Sequence, residues 1–229
     1  MLSNFPFSAV LWDMDGTLID SEPLWIEQER QLMESFGASW SQADAIHCIG
    51  GPMSRVDAYM RSKLPELHRD SVAPLELARQ LLERMEHRLS QSVPFTPGSF
   101  DMITEMKSAQ LPLALVSAST RPLMNAALKS IGEDLFDVTI SDSDVSQSKP
   151  HPEGYLMAAD SLSVDIKSCL IIEDSITGMN AAIASGAYVI GLPHVADLPI
   201  GEKVVHRLSL EGLSLAQIPD LFDTILERQ

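Results

Sequence analysis

Residues 169–191 read CLIIEDSITGMNAAIASGAYVIG. The run from Cys169 to Ile172 is apolar without interruption, as suits a strand buried on both faces of a parallel sheet, and it ends on the acids Glu173 and Asp174. A helix near Gly178–Ser185 then leads into a second apolar run, Tyr188-Val-Ile-Gly191. A strand, a helix and a strand in so short a span predict a βαβ unit. The same alternation extends upstream. A helix near Ser99–Gln110 precedes a strand Leu113-Ala-Leu-Val-Ser117, one near Pro122–Ile131 precedes Val138-Thr-Ile140, and one near Pro152–Leu162 precedes Cys169. At the other end, Phe7-Ser-Ala-Val-Leu-Trp12 reads as a further buried strand that ends at Asp13, where Asp15-Gly16 turns the chain. Strands alternating with helices predict an α/β fold, a Rossmann-like core of three layers with a parallel sheet in the middle.

Between Asp20 and Ser92 the pattern is helical throughout. Pro23 suits a first helical turn, and Leu24, Trp25, Gln28, Leu32 and Phe36 share one face before Gly37. Ser41 is placed to cap a short helix that ends near Gly50-Gly51, Pro52 to Lys63 reads as a third helix, and Pro74 is expected to open a fourth. The expected organisation is a discontinuous α/β core, residues 1–19 and 93–229, with an all-helical module inserted at residues 20–92.

Composition narrows the function classes. The chain has 229 residues, 45% hydrophobic and 21% charged, enough for a good core. Its net charge of −16 argues against a polyanionic partner such as nucleic acid, which needs a basic face. Half of the 16 cations lie between Asp20 and Ser92, so a small phosphorylated ligand remains compatible. The richest apolar stretch, Leu111 to Ala118, contains a proline and falls short of the roughly 18–20 residues of a membrane span. Cys48 and Cys169 lack metal-site spacing and read as small core residues. No basic segment opens the chain, and a cytoplasmic monomer is expected.

The chemistry sits at strand ends. Asp13-Met-Asp15-Gly16-Thr17, Ser117, Lys149-Pro150 and Glu173-Asp174 each follow an apolar strand, and in an open parallel sheet the ligand lies beyond the carboxyl ends of the strands. Asp13, Glu173 and Asp174 are hard oxygen donors that suit Mg²⁺. Ser117 and Lys149 offer a hydroxyl and a cation to phosphate oxygens. The bend at Asp15-Gly16 would let two aspartates reach one centre, one as nucleophile and one as proton carrier.

In these four segments, taken in order, the sequence resembles the haloacid dehalogenase superfamily. Asp13-Met-Asp-Gly-Thr-Leu-Ile-Asp20 is similar to its first motif, Ser117 to the second, Lys149 to the third and Glu173-Asp174-Ser-Ile-Thr-Gly178 to the fourth. The resemblance spans nearly the whole chain, including the helical cap after the first motif, and is nearest to the β-phosphoglucomutase-like branch with its small sugar-phosphate phosphatases. It implies that Asp13 attacks phosphorus, that Asp15 protonates the leaving group and then activates water, and that Ser117 and Lys149 hold the transferred group. It also implies Mg²⁺ held by Asp13, the Asp15 carbonyl and Asp174, with Glu173 nearby.

The same resemblance sorts the chemistries of the superfamily. Asp15 is absent from the halide-removing branch, and the mutase has a histidine twelve residues after the nucleophile where this chain has Trp25, which favours a hydrolase. Asp20-Ser-Glu-Pro-Leu-Trp25 is similar to a stretch found in phosphatases of the branch. Gly50-Gly-Pro-Met-Ser-Arg55 resembles the specificity loop of the cap, which makes Arg55, with Gly51 and Trp25, the expected discriminators of substrate. The implied function is a Mg²⁺-dependent phosphatase of small phosphomonoesters such as sugar or polyol phosphates, with a phosphosugar mutase as the alternative and a silent binding protein of the same fold behind it.

Overall fold

The structure, a computed structural model, describes residues 5–69, 71–193 and 197–226. In chain order the elements are β1 (Ala9–Trp12), α1 (Glu22–Ser35), α2 (Gln42–Cys48), α3 (Met53–Lys63), α4 (Glu66–Arg69), α5 (Glu76–Leu89), α6 (Ser99–Ser108) and β2 (Leu113–Val116). They continue with α7 (Arg121–Ile131), β3 (Val138–Ile140), α8 (Glu153–Ser161), β4 (Cys169–Glu173), α9 (Ile176–Ser185), β5 (Tyr188–Gly191), β6 (Val204–His206) and α10 (Asp223–Leu226). The chain divides into two compact units, Met1–Asp20 with Val93–Gln229, and Ser21–Ser92.

In the first unit the six strands form one parallel sheet in the order β3-β2-β1-β4-β5-β6, flanked by helices. The fold class is the α/β, Rossmann-like one that the alternation predicts. Register puts Trp12 beside Leu115 on one side and Ile172 on the other, so the ends of β1, β2 and β4 come level. The four residues of β1 and the five of β4 are all buried, which is why their sequences carry no polar alternation. Tyr155, Ala158 and Ala159 of α8 and Met179, Ala181 and Ala182 of α9 cluster with Leu11, Val116, Ile171 and Val189 of the sheet. The alanines let both helices approach closely. Each fully buried large aliphatic side chain contributes about 1.5–3 kcal/mol.

Ser175 caps α9 by accepting the Gly178 N–H, and Gly186 ends it in the left-handed conformation. The sheet continues past the last expected strand. The half-exposed β6 pairs with β5 along one edge and is too short, at three residues, to show a period. Strand β2 stops at Val116, leaving Ser117 just beyond it.

The helical unit packs Leu32, Trp40, Cys48, Val56, Met60, Leu77 and Leu81 into a core of its own. Ser41 caps α2 in a reciprocal pair with Asp44. Helix α5 begins at Glu76, later than Pro74 suggests, because Leu75 is left-handed (φ 68°) and breaks the helix there. A distant residue supplies the cap: the buried Asp57 of α3 accepts the N–H groups of Leu75 and Ala78 at 2.9 and 3.1 Å.

Candidate active site

Strand β1 delivers Asp13 to the rim of the sheet, where its N–H bonds to the Ile172 carbonyl at 3.0 Å. The chain then reverses through Gly16, whose N–H donates to Ile19 O at 2.8 Å. Gly16 is required twice over. Its φ is +84°, and a Cβ there would stand 2.2 Å from Asp174 Oδ2. Glycine therefore lets the carboxylate at the end of β4 come against the turn after β1. Thr17 Oγ1 holds that carboxylate by a 2.9 Å bond to Asp174 Oδ1.

Lys149 reaches into the same place. Its Nζ donates to Asp13 Oδ1 at 2.6 Å, to Glu173 Oε1 at 2.7 Å and to Val116 O at 2.9 Å. Three acceptors match the three protons of an ammonium, and the side chain is only 7% exposed. The segment that returns Lys149 to the rim is braced at Asp144, which accepts from Ser141 and from Arg121, while Arg121 also holds Thr139.

Glu173 is wholly enclosed. Oε1 takes Lys149 Nζ and the Tyr155 hydroxyl at 2.7 and 2.8 Å. Oε2 takes the N–H groups of Asp174 and Ser175 at 3.0 and 3.1 Å and Ser175 Oγ at 3.2 Å. That occupies the roughly four lone-pair directions of a carboxylate. The first turn of α9 closes over it, and a Cβ on Gly178 would lie 1.7 Å from Oε1. Tyr155 also lays its ring 4.8 Å from Lys149 Nζ.

Electrostatically, two carboxylates, Asp13 and Glu173, pair with one lysine, and Asp174 stands close to both acids. Burial first, then repulsion from Glu173, pushes the Asp13 carboxyl well above its ordinary range despite Lys149. Burial works against the charge of Lys149, yet the Asp13 and Glu173 carboxylates outweigh it and hold the ammonium above its ordinary value. Burial and the neighbouring Glu173 likewise keep the Tyr155 phenol protonated. One ligand oxygen from each of Asp13, Glu173 and Asp174 lies within 4.8 Å of the others. An all-oxygen, charge-rich set of this kind fits a hard divalent cation such as Mg²⁺.

Asp15 stands beside Asp13, held by the turn after β2. Its Oδ2 accepts from Ser119 Oγ at 2.8 Å and from Ser117 Oγ at 3.3 Å. Asp13, Asp15, Ser117, Lys149, Glu173 and Asp174 are thus gathered at one rim.

Arg55, Gly51 and Trp25 belong to the helical unit. Arg55 Nη2 bonds the carbonyls of His47 and Ile49, each at 3.3 Å, and its guanidinium lies where a side chain at position 51 would stand. Trp25 packs against the core of that unit. Among the described residues no helix is long and apolar enough to cross a membrane. Both cysteines are buried, and burial pushes their thiols up to about 12.

Sequence reasoning missed Thr17, Ser119 and Tyr155. Thr17 and Ser119 lie within or next to the recognised motifs and could have been found as spare hydroxyls. Tyr155, inside an apolar helix face, carries no signal in the sequence.

The family model for haloacid dehalogenase-like hydrolases matches residues 10–192. Hexitol phosphatase B of Escherichia coli (strain K12) is 33% identical over 81% of this chain and 83% of its own. The phosphorylated carbohydrates phosphatase of Thermotoga maritima is 30% identical over 78% of this chain and 81% of its own. Among solved structures, β-phosphoglucomutase from Clostridium difficile superposes with a TM-score of 0.73 at 22% identity, over 97% of this chain and all of that one. With the model match running from β1 past β5, the chain belongs to the haloacid dehalogenase-like hydrolases.

Proposed function

We propose that the protein is a Mg²⁺-dependent phosphatase of small phosphomonoesters, sugar or polyol phosphates, acting through an aspartyl-phosphate on Asp13. The observation that carries this reading is the contact of Lys149 Nζ with Asp13 Oδ1 at 2.6 Å, with Asp15 and Ser117 at the same rim. Lys149 fixes the carboxylate that would attack and adds positive charge where phosphoryl oxygens would gather. Asp13 would form the new bond to phosphorus as the ester bond breaks. Asp15 would give its proton to the leaving oxygen and then take one from the water that releases phosphate.

The Asp13 and Asp174 carboxylates and the Asp15 carbonyl would hold the metal. Glu173, its oxygens already bonded, would stand behind them as the anchor of Lys149. When bound, Mg²⁺ would offset the repulsion between an anionic nucleophile and an anionic substrate. The names of the sequence relatives, a hexitol phosphatase and a phosphorylated-carbohydrate phosphatase, support the substrate class.

The test is a phosphate-release screen over phosphorylated sugars and polyols, with Mg²⁺ and with excess EDTA. Turnover of a sugar or polyol phosphate that EDTA abolishes and Mg²⁺ restores is expected. Undiminished turnover in EDTA removes the metal, and release only from other phosphoesters removes the substrate class. Weak hydrolysis that gives way to isomerisation when a sugar bisphosphate is added would identify a mutase instead.

A further inference from the structure

We propose that the groove between α1 and α5 is a second ligand site, which takes a small oxyanion carried on a hydroxylated molecule. It lies wholly within the helical unit and does not rest on the reading of the catalytic rim. The two helices pack side by side, and the groove between them has a volume of about 770 Å³. Gln28 and Gln31 line it from α1, and Gln80, Arg84, His87 and Arg88 line it from α5.

Two of these side chains have uncommitted hydrogen-bonding groups. Gln28 is 7% exposed, yet among the described residues its amide has no hydrogen-bond partner. A buried amide is costly to leave unpaired, and the groove it lines is where a partner can reach it. Arg84 is half-buried, and among the described residues its guanidinium has neither an ion pair nor a hydrogen bond. The other basic groups on the groove are engaged. Arg79 holds Glu76 and Glu83, Arg88 Nη1 donates to Ser92 O at 2.6 Å, and His87 Nε2 meets Gln91 Nε2 at 2.9 Å. The two acids on the groove, Glu27 and Glu83, are exposed and take Gln31 and Arg79 instead.

The spacing along α5 points the same way. Arg84 and Arg88 stand one turn apart on one helix face, a like-charge i,i+4 pair that destabilises a helix and that a bound anion would relieve. Arg88 lies in the last turn, where the carbonyl end of the helix favours a cation. Arg84, a turn earlier, has no such compensation. A guanidinium only donates, and its planar fork matches carboxylate or phosphoryl oxygens. The Gln28 amide both donates and accepts, which suits a hydroxyl.

The experiment titrates the full-length, isotope-labelled protein and follows its amide chemical shifts at low ionic strength, where exposed charges are least screened. Two probes are used: gluconate, a polyol carboxylate, and the phosphonate analogue of glycerol phosphate, whose C–P bond is not an ester bond. At least one should shift residues 80–91 and the side-chain NH₂ signal of Gln28, with half-saturation at about 1 mM or below. The probe that saturates lower identifies the oxyanion as carboxylate or phosphoryl. Arg84→Gln, which removes no bond of the fold, should weaken that binding by about tenfold or more. Gln28→Leu should weaken it by about threefold or more. Groove shifts that fail to saturate, or that either variant leaves unchanged, overturn the proposal. Shifts confined to residues 117–119 and 174–178 overturn the groove and leave the reading of the catalytic rim standing. Groove shifts without any at the rim do the reverse.

Discussion

Gly178→Ala sets two physical effects against each other. Gly178 lies in the first turn of α9 and has an ordinary helical backbone, so helix propensity alone predicts that alanine stabilises by about 1 kcal/mol. The site predicts the reverse. The new methyl would stand 1.7 Å from Glu173 Oε1, less than half an ordinary van der Waals contact, with Oε2 at 2.2 Å. Relief needs a shift of more than 1 Å by the helix or the carboxylate, on the order of the closest comfortable carbon contact of about 3.5 Å. Such a shift breaks the bonds to Lys149 at 2.7 Å and Tyr155 at 2.8 Å.

Disrupting a buried ion pair costs about 3–5 kcal/mol. Less the propensity gain, the net loss is about 2–4 kcal/mol, and the melting temperature of a chain this size should fall by about 4–16 °C. Because Lys149 is the link between Glu173 and Asp13, kcat should fall with it, by about a hundredfold or more. Thermal unfolding and phosphate release on the purified variant give both numbers. A Gly178→Ala protein as stable as the parent and fully active would refute the enclosed Glu173 as the support of Lys149.

Asp13→Asn should abolish turnover with the melting temperature nearly kept, since the amide matches the carboxylate in shape but is a far weaker nucleophile; acid-stable phosphate labelling that persists in the variant would move the intermediate elsewhere. Glu29→Gln should become progressively more stabilising as pH rises. Glu29 is 5% exposed with Trp40 Nε1 3.2 Å away, and burial raises its carboxyl from 4.5 to about 7. The folded state therefore holds that proton more tightly, and its stability falls as pH climbs from about 4.5 to about 7, by at most about 3 kcal/mol. Denaturation of both proteins at about pH 5 and about pH 8 should show the variant's advantage growing by about 2–3 kcal/mol; a constant difference would place the titration elsewhere. Arg55→Ala should cost the fastest sugar phosphate roughly tenfold or more in kcat/KM and p-nitrophenyl phosphate much less. Equal losses would assign Arg55 to bracing the carbonyls of His47 and Ile49.

What short-range physics controls was legible in the order of the residues. Apolar runs such as Ala9–Trp12 and Cys169–Ile172, alternating with helices and bounded by turn signals, read as buried strands, which places the carboxylates that follow them at the sheet rim. Ser41 and its helix were legible because a capping box lies within four residues. Tertiary structure decided whatever depends on which distant groups meet. Thr17 is 157 residues from the Asp174 it holds, and Ser119 is 104 from Asp15. The start of α5 depends on Asp57, 18 residues before Leu75, and β6 forms only because β5 offers it an edge. The role of Glu173 shows the division most clearly. As a residue type it reads as a candidate metal ligand, and only the fold brings Lys149, Tyr155 and the first turn of α9 around the same carboxylate. A sequence states which acceptors a chain owns, and packing determines which donors reach them first.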